Sequence, residues 1–123
     1  MLPVAANQTY TFHALLSVSD PNSAGISYKF AFSSPGSTLK FGFIDATTAG
    51  GPTTTIVNGS GIQMTTALST NNTTEIFIQV DGIILTSGSD SNLQLQFRKV
   101  SGGTGSDPVR MNTNSYLQMI RVQ

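Results

Sequence analysis

The chain has 123 residues, six acidic and six basic, so its formal net charge is zero, and only 10% of its residues carry charge. A neutral chain has no field with which to gather a polyanion or an anionic membrane surface, which argues against nucleic acid and membrane partners. No apolar run approaches the roughly 20 residues of a spanning helix, Met1-Leu2-Pro3-Val4 lacks the basic and apolar regions of a signal peptide, and the absence of cysteine removes disulfides and thiolate sites.

The length fits one domain with one core. Ser, Thr, Asn, Gln and Gly supply the polarity that charge usually gives. Neutral hydrogen-bonding groups cost less to desolvate at a contact, which suits a protein packed against copies of itself or against a larger assembly.

In chain order, residues 1–8 show no period and read as an N-terminal arm, leaving 9–123 as a single domain. Tyr10, Phe12, Ala14, Leu16 and Val18 share one face of a first strand. Asp20-Pro21-Asn22-Ser23 is turn chemistry. A second strand alternates Ile26, Tyr28, Phe30 and Phe32 with Ser27, Lys29 and Ala31. Ser33-Ser34-Pro35-Gly36 predicts a chain reversal before a third strand built on Leu39, Phe41 and Phe43. After a loop over 45–52, weaker strands over 53–57 and 62–68 flank Asn58-Gly59-Ser60-Gly61, where Asn-Gly favours a tight primed turn. A polar turn over 69–73 follows.

The strongest pattern lies in 74–100. Ile76, Ile78 and Val80 alternate with Glu75, Gln79 and Asp81, and Leu93, Leu95 and Phe97 with Gln94, Gln96 and Arg98. With turn formers over 87–92 between them, the two runs predict a long β-hairpin. Its apolar positions change phase at Asp81-Gly82, so a β-bulge is expected there. After a loop over 101–108, the last strand over 115–122 carries Leu117 and Met119 on one face and Tyr116, Ile120 and Val122 on the other. Apolar residues on both faces imply that the strand is central in its sheet or covered by a neighbouring subunit. Some eight strands with short turns and no helical period describe an all-β fold, an antiparallel β-sandwich of jelly-roll type.

Chemistry is sparse by comparison. His13, the only histidine, lies opposite the apolar face of its strand and reads as solvent-facing or at an interface, since no Gly-x-Ser-x-Gly signature accompanies it. The carboxylates Asp20, Asp45, Glu75, Asp81, Asp90 and Asp107 are spread singly, so neither a metal site nor a glycosidase pair is readable; Asp90 sits in a Ser/Asn run that reads as turn capping. Gly102-Gly103-Thr104-Gly105 lacks the setting of a phosphate cradle. Nearly every Phe and Tyr falls on the apolar side of its strand, and Phe77, out of phase with Ile76 and Ile78, is the exception. It reads as a second buried layer or a subunit contact, with a carbohydrate platform as the alternative. No catalytic residue, cofactor or metal is expected.

Asp81-Gly82-Ile83-Ile84-Leu85, a Gly/Ser turn, Leu93-Gln94-Leu95-Gln96-Phe97, a variable loop and then Asn114-Ser115-Tyr116-Leu117-Gln118-Met119-Ile120-Arg121-Val122 together resemble the terminal β-sandwich domains of tailed-bacteriophage virion proteins. Ala5-Ala6-Asn7-Gln8-Thr9-Tyr10-Thr11-Phe12 is similar to their first strand. The resemblance implies a trimeric, non-enzymatic virion protein, of the head decoration or cement type or of the fibre or tail-tip type, with other capsid or tail proteins as partners. No stalk-forming repeat is present in the chain, which favours decoration over a tip. The tip alternative would add a host-surface glycan as partner, and a carbohydrate-binding module is the further alternative. Phe77, Tyr116, Ile120 and Val122 are the expected subunit or assembly interface.

Overall fold

The first alternating run forms β2, Thr9–Ser19, with Tyr10, Phe12, Ala14, Leu16 and Val18 buried on one side. The structure, a computed structural model, describes residues 1–19, 27–45, 53–65, 68–69, 75–101 and 110–122. Its other elements are β1 (Leu2–Val4), β3 (Ser27–Asp45), β4 (Thr53–Met64), β5 (Leu68–Ser69), β6 (Glu75–Leu85), β7 (Ser91–Ser101), β8 (Arg110–Met111) and β9 (Tyr116–Arg121). The fold is all-β, as expected. Among the described residues, all pairings are antiparallel, in one nine-stranded sheet where β1, β7, β3, β6, β2 and β8 are successive neighbours, β4 and β5 also pair with β3, and β9 also pairs with β2.

Strand β3 organises this sheet. It runs for 19 residues straight through Ser33-Ser34-Pro35-Gly36, where the turn residues predict a reversal. The chain bends there instead. Gly36 takes a φ of 76°, Ser34 Oγ donates to Ser37 Oγ at 3.1 Å, and the stretch from Ser34 to Thr38 faces only Gly61 and Ser60 of β4, which makes a bulge. The extra residues move the inward positions from even (Tyr28, Phe30, Phe32) to odd (Leu39, Phe41, Phe43), so both halves of the strand keep their aromatic rings inside. The tight turn expected at Asn58-Gly59-Ser60-Gly61 is not formed either. Strand β4 continues through it, because bent β3 supplies hydrogen-bonding partners on both sides of those residues.

The hairpin expected over 74–100 is also replaced. Strand β6 pairs with the second half of β3, and β7 with the first half, so the two lie end to end along β3 and are not partners of each other. The link over 86–90 follows the bend of β3, and its polar groups bond to the corner rather than across a turn. Ser87 Oγ donates to the Gly36 carbonyl at 2.7 Å, Ser91 Oγ to the Pro35 carbonyl at 2.8 Å, and Asp90 Oδ1 accepts from the Ala6 N–H at 2.8 Å. That last bond helps fasten the residues expected as a free arm. Leu2–Val4 pairs with β7, Val4 is buried, and Asn7, in the left-handed region at φ 55°, donates its N–H to the Ser87 carbonyl at 2.8 Å.

The bend brings the two halves of the sheet together over one aromatic core. Phe12 and Phe32 have ring centroids 4.9 Å apart, Phe32 and Phe41 5.1 Å, and Phe30 and Phe43 5.2 Å. These pairs join the first half-sheet (β7, residues 27–34 of β3) to the second (residues 38–45 of β3, β6, β2, β9). No bulge occurs at Gly82, contrary to expectation. The β2–β6 register is unbroken, Ile84 continues the inward series of Ile76, Ile78 and Val80, and Ile83 and Leu85 point outward. The reason is steric. A Cβ at Gly82 would lie 2.2 Å from Phe12 Cζ and 2.7 Å from the Lys40 carbonyl oxygen, so the ring of Phe12 occupies the place a side chain would take. The turn predicted at 20–23 lies outside the described residues, as do 70–73 of the next turn, 46–52 of the first loop and 102–108 of the second.

Candidate functional site

The outward side of the second half-sheet gathers most of what the chain leaves exposed and apolar. Register sets its residues in rows: Ile56, Gly42, Asp81, His13 and Gln118 form one, flanked by Ile44, Gln79, Leu15 and Tyr116 on one side and Lys40, Ile83, Thr11 and Ile120 on the other. Among the described residues, seven of the nine exposed large hydrophobics belong to this face. Tyr116, Ile120 (59% exposed) and Val122 (62%) run along its β9 margin, Ile44 and Ile56 (73%) along its β3–β4 margin, and Phe77 and Leu85 stand at the two ends of β6. Scattered exposed hydrophobics are ordinary, whereas a face that concentrates them marks a contact surface.

The four residues expected at an interface all lie on this one face. Of the two explanations for the two-sided last strand, central placement is excluded, because β9 pairs only with β2 and forms the sheet's margin among the described residues. Leu117 and Met119 pack inward against the core, and Tyr116, Ile120 and Val122 face out. Ile44, Ile56 and Leu85 escaped the sequence reading. Their outward direction follows only from where β3 bends and from the unbroken phase at Gly82.

A polar group sits in the middle of this apolar border. The Asp81 carboxylate can only accept, so His13 Nδ1–H donates to Asp81 Oδ1, at 2.6 Å, and the Tyr116 O–H then donates to His13 Nε2, at 3.0 Å. Gln79 Nε2 donates to Asp81 Oδ2 at 3.3 Å. The hydrogen bond from His13, helped by that from Gln79, holds the Asp81 carboxyl below the usual carboxylate range. Strand period alone puts His13 and Asp81 on outward faces, but only the β2–β6 register sets them opposite each other.

Carboxylate, imidazole and hydroxyl in series is the order of an acyl-transfer relay. Its surroundings are those of a sheet surface. β2 lies between β6 and β9, and β6 between β3 and β2, so the amides flanking the group serve the strand ladders and offer no pair of free donors to a developing oxyanion. A shallow groove of about 270 Å³ beside it is lined by Thr11, Phe12, His13, Asp81, Gly82, Gln118 and Ile120. What the group does in place is fix the Tyr116 side chain across β2, with the imidazole and phenol rings 5.7 Å apart.

A second polar cluster closes one end of the face. Ser17 Oγ donates to Glu75 Oε1 at 2.6 Å and accepts from Asn112 Nδ2 at 2.8 Å, while the Asn112 N–H reaches the Ser17 carbonyl at 2.8 Å. Ser115 Oγ accepts from the Ser17 N–H at 2.9 Å. These bonds hold the turn between β8 and β9 on β2, which positions the β9 margin. Among the described residues, no group of three or more His, Asp or Glu is gathered where it could hold a metal ion. Among the described residues, no helix is long and apolar enough to cross a membrane. No family model, curated protein or solved structure matches the chain.

Proposed function

We propose that this chain is a non-enzymatic structural protein of a virion, a β domain of jelly-roll-like sandwich type that trimerises and decorates the capsid. The observation that carries the reading is the outward face of the second half-sheet, where Phe77, Tyr116, Ile120 and Val122 join Ile44, Ile56 and Leu85 in one apolar surface on a neutral chain. Burial of such a surface against sister copies or capsid subunits is favourable by roughly 25 cal/mol per Å² of apolar area removed from water. The virion setting rests on the resemblance of both chain ends to phage terminal domains. Light scattering of the purified chain is expected to give the mass of three chains. A single-chain mass at micromolar concentration contradicts the reading. Immunogold labelling of virions is expected to mark the capsid, and the absence of label from every particle contradicts the virion assignment.

The groove beside His13, Asp81, Gln118 and Ile120 favours one second reading, a fibre or tail-tip module that binds a host-surface glycan. Hydrogen-bonding groups beside an apolar side chain are what a sugar ring requires. A glycan array separates the two: a reproducible hit lost on Gln118→Ala, with label confined to the tail end of the particle, supports the tip.

A further inference from the structure

His13, Asp81 and Tyr116 stand within the face that the proposed assembly covers, and His13 is the chain's only histidine. Histidine is the side chain whose charge ordinarily changes between pH 5 and 8. With the imidazole neutral, Asp81 leaves the pair with one negative charge, whereas with the ring protonated, imidazolium and carboxylate cancel. We infer that assembly through this face takes up a proton at His13, so that copies of the chain join more tightly as the medium becomes mildly acidic. The inference concerns the regulation of the trimeric contact proposed above and rests on that reading.

In a single chain the His13 and Asp81 side chains are 36% and 66% exposed, so water solvates the pair in either state of charge. A covering copy removes that water. Desolvating an unbalanced carboxylate costs more than desolvating a neutralised pair, so the covered state prefers the protonated ring. A contact that binds a proton tightens as pH falls. Asp81 is held below the usual carboxylate range by His13 and Gln79, so its charge persists throughout the histidine range.

The other charges around the group do not take over this role. Glu75 of β6 and Arg110 of β8 are both in register with Ser19, six residues along β2 from His13, about 20 Å away at about 3.3 Å each, and their signs oppose. Arg121 of β9 is in register with inward-facing Tyr10. Lys40 of β3 stands opposite Ile83, on a long stem that carries its ammonium out to water, and among the described residues the ion-pairing partner of Asp81 is His13. Protonation also turns one hydrogen bond round. Nε2 then donates to the Tyr116 oxygen, which frees the phenol hydrogen for an acceptor on the covering copy.

Sedimentation of the purified chain over a concentration series, at about pH 8 and about pH 5.5 and one ionic strength, tests the coupling. The concentration of half-assembly is expected to be about tenfold lower at the acid pH, within the ordinary range of coupling between two binding events. His13→Gln keeps a donor for Asp81 and removes the titration, so its half-assembly concentration is expected to match the parent's alkaline value at both pH values. Asp81→Asn inverts the balance, because neutral histidine is then the uncharged state, and assembly is expected to weaken toward acid. A merely structural bond gives no such reversal. His13, as the only histidine, also gives a single ring signal in NMR, expected to titrate at higher pH in concentrated than in dilute samples of the parent. That measurement decides the matter even where a variant loses its far-UV β signal. A parent trimer with one half-assembly concentration at both pH values overturns the inference and leaves the trimeric reading standing. A dependence that survives in His13→Gln overturns it too, since another group is then responsible. A parent that stays a single chain at both pH values overturns the inference and the reading beneath it together.

Discussion

The two outward faces of this sheet are made by the same alternation and come out opposite in character. On the first half-sheet, Asn92, Gln94, Gln96 and Arg98 of β7 stand beside Lys29 of β3, and the face is polar. On the second, Ile56, Ile120 and Val122 take equivalent outward positions. Each half packs its inward rings into the shared core, so folding alone does not explain the difference. What separates them is that polar outward residues are content in water, while the apolar ones gain only if something covers them. The comparison locates the selected surface of the molecule on β9, β2, β6, β3 and β4.

The largest way to break it is at Gly82, beneath the apolar face. Gly82→Ala puts a Cβ against the Phe12 ring and the Lys40 carbonyl, and the second of these is backbone that cannot swing away. A loss of about 3 kcal/mol is expected in denaturant melts, at the upper end of overpacking costs. Gly88→Ala, at the exposed corner with nothing within 4 Å, is the control and is expected to change stability by less than about 0.5 kcal/mol. Equal effects at the two glycines would contradict the packing described for Phe12.

A smaller effect is expected at the latch that places the β9 margin. Asn112→Ala removes the bond to Ser17 Oγ, and a loss of about 1 kcal/mol is expected, read as a lower denaturation midpoint with an unchanged slope. It sharpens the comparison, because association through the second face should weaken with it while the first face is untouched. The smallest effect concerns pH. Asp81 is held below its ordinary range by His13, so its contribution to stability is present above that range and is lost as pH falls through and below about 4. Asp81→Asn should therefore flatten the acid limb of a stability profile slightly, the carboxylate being two-thirds exposed, and leave the profile above pH 6 with the same shape. An acid limb steepened by the substitution would contradict the bond.

Much of the fold could be read from strand period. The inward series of β2, β6 and β7 was visible as alternation, and the last strand announced its two apolar faces. Turn chemistry misled wherever the outcome depended on a distant partner. Ser33-Ser34-Pro35-Gly36 and the Ser/Asp/Asn run over 87–92 both carry reversal signals, yet they bond to each other at one corner and bend together. Local propensity cannot distinguish a reversal from a bend, since the same residues serve both. At Gly82 the apparent change of phase reflects a position emptied for Phe12, a fact that lives on another strand. The site divided in the same way: Phe77, Tyr116, Ile120 and Val122 were legible as apolar residues out of place, whereas the Asp81, His13 and Tyr116 group requires cross-strand register, which no local pattern carries.

Covalent footprinting with hydroxyl radicals, run on the purified chain from nanomolar to tens of micromolar concentration, tests the contrast between the faces most directly. Labelling of Tyr116, Ile120 and Val122 is expected to fall as concentration rises, with Val100, exposed on β7 of the first half-sheet, serving as an unchanging internal reference. Labelling of the three β9 residues that stays constant across that range, in step with the reference, would contradict the account.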